Sequence, residues 1–131
     1  MKLLLDTHIW IWSLLEPARL SSRVRRVLAS ADHELWLSSI SIWEFLLLAE
    51  RGRVKLDRSA PEWLDAALLR APVGEAPVTH QIARQSRCLD LTHDDPADRF
   101  IAATTLVLGL TLITADTRLL ASKSISTMAN T

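Results

Sequence analysis

Two short apolar runs, Lys2–Leu5 and Thr111–Ala115, each end on an aspartate, Asp6 and Asp116. Neither run is long enough to make a helix that buries itself, so each reads as a strand enclosed on both faces. The residues between them recur at helical spacing. Short enclosed strands that alternate with helices specify an α/β fold, a three-layer α/β/α sandwich around a mainly parallel sheet. In such sheets ligands bind beyond the carboxyl ends of the strands. An acid at two of those ends is therefore the first hint of where chemistry could sit.

The punctuation of the chain supports this layout. Thr7 to Leu15 reads as a helix stopped by Glu16-Pro17, and Ser21 or Ser22 can cap a second helix with Val24, Val27 and Leu28 on one side. Glu34 to Ser38 is a candidate strand, followed by a helix from about Ser41 to Arg51 that Gly52 ends. Ala60-Pro61 opens a fourth helix, and Pro72 to Val78 is a loop with room for a short strand. Thr79 caps a fifth helix reaching about Cys88. Asp95-Pro96 starts a sixth, ended by Gly109. An edge strand near Ile125, short or frayed, completes the sheet.

The 131 residues, 49% of them hydrophobic, fit one domain spanning 1–131 and can bury a core. Fifteen basic and fifteen acidic residues cancel, so no global field draws the chain to a polyanion. Any contact with phosphate must be local or carried by metal ions. The lone cysteine, Cys88, excludes an internal disulfide framework and a cysteine-based zinc site, and suits a reducing cytoplasm. The longest uncharged run, Phe100 to Ala115, is 16 residues and is split by Gly109, so no membrane span is expected.

Four acids stand out, and each also has an ordinary structural job available. Asp6 can cap the helix after its strand, and Asp116 can cap the turn after its own. Asp98 lies in the first turn of the helix opened by Asp95-Pro96, where an acid favours the helix dipole or closes a capping box. Glu44 is the least ordinary. Its helical neighbours are Ile40, Ser41, Leu47 and Leu48, so its carboxylate is set among apolar or uncharged groups. A buried carboxylate costs several kcal/mol unless it is paired, protonated or metal-bound. A parallel sheet can bring all four to one edge. Gathered carboxylates repel one another unless a cation joins them. Oxygen donors without cysteine select Mg²⁺, with Mn²⁺ a workable substitute, and such ions activate water and stabilise leaving oxygens in phosphoryl chemistry.

Three blocks, LLLDTHIWIW, LSSISIWEFLLLAERGRVKL and THDDPADRFIAATTLVLGLTLITAD, carry a resemblance to PIN-domain proteins, specifically the VapC-type toxins of toxin–antitoxin pairs. It extends from Lys2 to about Leu120. The resemblance implies an α/β/α domain and a metal-dependent endoribonuclease that leaves 3′-hydroxyl and 5′-phosphate ends. It places the catalytic, metal-binding acids at Asp6 in D-T-H, Glu44 after Ser41-Ile42-Trp43, Asp98 in D-R-x-x-A-A and Asp116 in T-A-D. It assigns supporting polar roles to Thr7, Ser41 and Thr114. It also implies an RNA substrate, a cognate antitoxin and a homodimer; an antitoxin's basic side chain could enter the acid pocket and displace metal. Two departures from the family pattern are Ala97, where an aromatic is common, and a tail without a terminal aromatic.

Arg99 and Arg118 each adjoin one of the acids and are candidates for touching phosphate. His8 could lie near the site, though a lone histidine here is more often a packed or capping residue, and His33, His80 and His93 show no metal-ligand spacing. Trp10, Trp12, Trp36 and Trp43 fall in apolar segments and are expected in the core.

Two other classes fit parts of the pattern. Another Mg²⁺-dependent phosphoryl-transfer hydrolase of the haloacid-dehalogenase kind would want an aspartate where this chain has His8. A non-catalytic module, either a degenerate PIN-like domain or a receiver-like one, would have no need of all four acids; the receiver would want a late lysine, and Lys123 follows the last clear strand.

Overall fold

Leu3, Leu4 and Leu5 are at most 2% exposed, and this is possible only where a strand is covered on both faces. The computed structural model, which describes residues 1–131, supplies that cover. β1 (Lys2–Leu5) is the middle of a five-stranded sheet ordered β3-β2-β1-β4-β5, with β2 at Glu34–Ser38, β3 at Gly74–Ala76, β4 at Thr111–Thr114 and β5 at Ser126–Ala129. Every neighbouring pair is parallel; Leu4 lies opposite Trp36 on one side and Leu112 on the other. The α/β expectation is borne out.

Side chains alternate across the sheet with period two. Leu3, Leu5 and Ile113 join the larger apolar cluster, with Trp10, Phe45 and Trp63; Leu4 and Leu112 join the smaller one, with Ile101 and Leu119. The first cluster is built with α1 (Thr7–Leu15), α2 (Ser22–Ala29), α3 (Ser39–Glu50) and α4 (Ala60–Arg70). The second packs under α6 (Pro96–Leu108) and α7 (Thr117–Leu120), with α5 (His80–Gln85) lying against α6. Each leucine or isoleucine fully buried in this way contributes about 2 kcal/mol of transfer free energy.

The strand order carries the functional consequence. From β1 the chain steps outward through β2 to β3, then returns to β4 on the opposite side of β1. Right-handed crossovers put the helices of the two halves on opposite faces. The reversal leaves a crevice beyond the carboxyl ends of β1 and β4, where Asp6 and Asp116 stand.

Local signals set the element ends. Ser21, Ser38, Ser59, Thr79 and Asp95 each accept a backbone N–H at the start of the helix that follows. Gly109 ends α6 with φ +64°, a conformation glycine adopts without penalty. Two boundaries differ from the sequence reading. α3 begins at Ser39 because Ser38 is its cap, and α5 ends at Gln85, after which a turn carries the chain on. The carboxyl-terminal tail is not frayed. β5 pairs with β4 over four residues, and the Asn130 side chain accepts from Ser21 N–H and donates to the Arg19 carbonyl.

Candidate active site

Asp6 is the most constrained of the four acids. It continues the β1 ladder, its N–H donating to the Ile113 carbonyl, and it is 7% exposed. One carboxylate oxygen accepts the Thr7 N–H at 2.9 Å, so Asp6 is indeed the cap of α1. The other accepts the Thr114 hydroxyl at 2.6 Å, from the end of β4. Burial raises the Asp6 pKa against the lowering effect of these two bonds. Capping and site-building coexist in one residue, because each carboxylate oxygen keeps a further lone pair.

Glu44 reaches the same crevice from α3. It is half-buried, and desolvation together with the Asp6 charge pushes its pKa up. Thr7 and Ser41 lie beneath it, both fully buried, the Thr7 hydroxyl donating to the Ser41 Oγ at 2.8 Å.

Asp98 comes from the first turn of α6. The capping-box alternative does not hold: Asp95 is the cap and accepts the Asp98 N–H, while the Asp98 carboxylate turns inward. Its partner is His93, whose Nε2 lies 2.9 Å from Oδ2. Burial raises the Asp98 pKa to about 6, the His93 bond opposing and the charges of Asp95, Asp6 and Asp116 assisting. Asp116 sits on the rim as the cap of α7. Arg118 grips it through the backbone N–H at 2.8 Å and through two guanidinium bonds, at 3.2 and 2.9 Å. That grip holds the Asp116 carboxyl below its usual range.

The four acids line one cavity of about 280 Å³, shared with His8, Trp12, Asp95 and Arg118. A larger cavity of about 350 Å³ opens between α1, α2 and the segment after α4, but its lining is mainly apolar and contains no acid. Only the smaller one offers a set of oxygen donors that could hold a metal. Asp98, Asp116 and His93 each bring one potential ligand atom to within 4.8 Å of the others. Three carboxyls here have raised pKa values, chiefly through burial and secondarily through the neighbouring acids, so a cation in the cavity would favour their ionised forms. The donor set is almost all carboxylate oxygen with no thiol, which suits a hard divalent cation.

Some sequence expectations change. Arg99 does not face the cavity. It is 6% exposed, and its guanidinium donates to the carbonyls of Ser86 at 2.8 Å, His93 at 3.1 Å and Leu89 at 3.4 Å. An arginine spent on backbone carbonyls is unavailable to phosphate; it pins the 86–93 segment to α6. Arg118 is exposed and at the cavity, as a phosphate contact requires. Of the two readings of His8, the one near the site holds: it is exposed on the cavity wall, its ring 5.9 Å from that of Trp12. Trp43, expected in the core, is 55% exposed, whereas Trp63 joins Trp10 and Phe45 in an aromatic cluster. His93 escaped the sequence reading because it lies in the loop before α6, so its link to Asp98 follows no helical or strand spacing. The one available signal was its place in the T-H-D-D-P block.

Comparison with known proteins agrees with this geometry. Residues 3–123 match the PIN domain family. Ribonuclease VapC22 of Mycobacterium tuberculosis is 37% identical over 117 residues, 88% of each chain. The chain therefore belongs to the PIN domain family. Among solved structures, VapBC2 from Rickettsia felis, bound to a DNA fragment from its promoter, superposes with a TM-score of 0.75 at 16% identity, covering 98% of both chains. DNA-bound VapBC from Salmonella typhimurium gives 0.73 at 20% identity, over 100% of this chain and 99% of the other. At those identities the structures establish a shared fold.

Proposed function

We propose that this chain is a metal-dependent endoribonuclease and the toxin half of a toxin–antitoxin pair, acting in the cytoplasm. Its metal, Mg²⁺ by preference, is held by Asp6, Glu44, Asp98 and Asp116. One observation carries the reading: four acids from four different elements line a single cavity at the point where the strand order reverses. The similarity to a ribonuclease supports the choice of RNA as substrate. Similarity to VapBC complexes supports an antitoxin partner, and exposed Trp43 and Leu69 offer apolar surface for that partner or for a second copy.

A divalent ion in this cavity would lower the pKa of a bound water and neutralise charge on the phosphodiester and its leaving oxygen. The residues of the chain supply order. Thr7 N–H and the Thr114 hydroxyl fix both oxygens of Asp6, so its remaining lone pairs point in set directions. His93 fixes Asp98 in the same way. Glu44, half-buried and close to the Asp6 charge, also gains from a cation, which would favour its ionised form. Arg118 adds a positive group at the open side of the cavity, where RNA must approach.

The test is cleavage of a panel of structured and single-stranded RNAs in Mg²⁺, Mn²⁺ and EDTA, with Asp6→Asn purified in parallel. Cutting should require metal and fall by at least about 10²-fold in Asp6→Asn. A folded, antitoxin-free wild type that neither binds metal nor cuts RNA, or cutting that persists in EDTA, would contradict the reading; metal binding without cutting would point to an RNA missing from the panel.

A further inference from the structure

Arg118 occupies part of the space assigned to metal. Both oxygens of Asp116 are already engaged: Oδ1 by the Arg118 N–H and Nε, and Oδ2 by a terminal guanidinium nitrogen at 2.9 Å. That same nitrogen lies 3.7 Å from Oδ2 of Asp98, the oxygen that His93 also holds. One guanidinium thus spans two of the four acids. Those two acids, with His93, form the group whose ligand atoms come within 4.8 Å of one another. Asp6 and Glu44 have no arginine or lysine ion pair at all.

We propose that Arg118 is the resident cation of the Asp98–Asp116 side of the cavity, is displaced when metal binds there, and then becomes the ligand of an RNA phosphate. This rests on the metal reading above. The physical argument is substitution of one cation by another. A planar guanidinium satisfies two carboxylates in the absence of metal, and a divalent ion outcompetes it because it carries twice the charge on a smaller body. The side chain is about half exposed, so its release costs little packing. It is tethered on α7, one residue beyond the Asp116 cap and its neighbour, so a freed guanidinium stays at the mouth of the cavity. There its fork matches two phosphate oxygens as well as it matched two carboxylates. Asp6 and Glu44 would accept metal without such a contest.

The two halves of the proposal give effects of opposite sign, which a plain surface ion pair would not produce. Mn²⁺ binding is followed by the electron paramagnetic resonance of the free ion, in wild type, Arg118→Gln and Asp116→Asn. Arg118→Gln should bind Mn²⁺ tighter by about fivefold, the upper end for loss of one exposed competing ion pair. Asp116→Asn should bind it more weakly. In the RNA assay, with Mn²⁺ saturating, KM of Arg118→Gln should rise by about tenfold, the worth of one charge-assisted phosphate contact, and Arg118→Lys should recover part of it. Unchanged or weaker Mn²⁺ binding by Arg118→Gln overturns the displacement, and an unchanged KM overturns the phosphate role. Failure of the underlying metal reading looks different: wild type itself then binds no Mn²⁺, or binds it equally well with Asp6→Asn.

Discussion

Asp98 shows how a single residue can be costly to the fold and yet belong to the proposed site. Its carboxyl is mostly buried beside three other acids, and its pKa rises to about 6 from an ordinary 3.8. A raised acid pKa means that the folded chain holds the proton more tightly than the unfolded chain does. The contribution of the group to stability is therefore complete below about pH 4 and is lost as pH rises through 6. Asp6 and Glu44 are shifted in the same direction, while Asp116, lowered by Arg118, works in the opposite sense and only at more acid pH. Metal-free protein should accordingly melt at a lower temperature at pH 7.5 than at pH 5. Asp98→Asn should shrink that difference by an amount on the order of 1 kcal/mol, or about 3–5 °C. Thermal melts in EDTA at the two pH values check this, and an identical pH dependence in both proteins would contradict it. At this scale the sequence was informative about which acids share a cavity, since strand ends and an apolar helix face are visible in one dimension. Their partners Thr7, Ser41 and Thr114 were named only through the family resemblance, not by any local pattern. The bonds Asp6–Thr114 and Thr7–Ser41 join residues 108 and 34 apart, and nothing local announces them.

The elements are positioned by caps, by the alternation of strand faces and by one buried arginine. Caps and alternation were legible, because Ser, Thr or Asp before a helix and period two in a strand are local properties. Arg99 was not. In sequence it is a charge beside a candidate catalytic acid, and in the fold it is a clamp that gathers carbonyls from Ser86 to His93. His93 is held at the end of that segment, so the clamp also sets the histidine that orients Asp98. Arg99→Met keeps the length of the side chain and removes the donors. It should cost about 2–4 kcal/mol of stability, through buried carbonyls left without partners, and should reduce cleavage beyond what lowered stability explains. Denaturant melts and cleavage rates measured well below the midpoint separate the two effects. An Arg99→Met protein as stable and as active as wild type would show that the segment needs no clamp. Trp43 was misplaced for a related reason. A tryptophan among apolar neighbours on a helix reads as core, but α3 is apolar nearly all round, and only packing decides which side is left open.

At the scale of the whole molecule, the sheet reversal turns scattered acids into a site. β1 and β4 lie side by side although more than a hundred residues separate them, and α3 and α6 deliver Glu44 and Asp98 from opposite layers of the sandwich. The fold class followed from the alternation of strands and helices. Strand order did not, because parallel pairing has no local sequence signal comparable to a tight turn. The central claim is that this one cavity is the metal centre. Anomalous scattering from crystals of the protein grown with Mn²⁺ tests it directly. The predicted result is a peak within bonding distance of Asp6, Glu44, Asp98 or Asp116 carboxylate oxygens in the wild type, lost or displaced in Asp6→Asn. Ordered manganese found only elsewhere, with the acid cavity empty at saturating metal, would contradict the account.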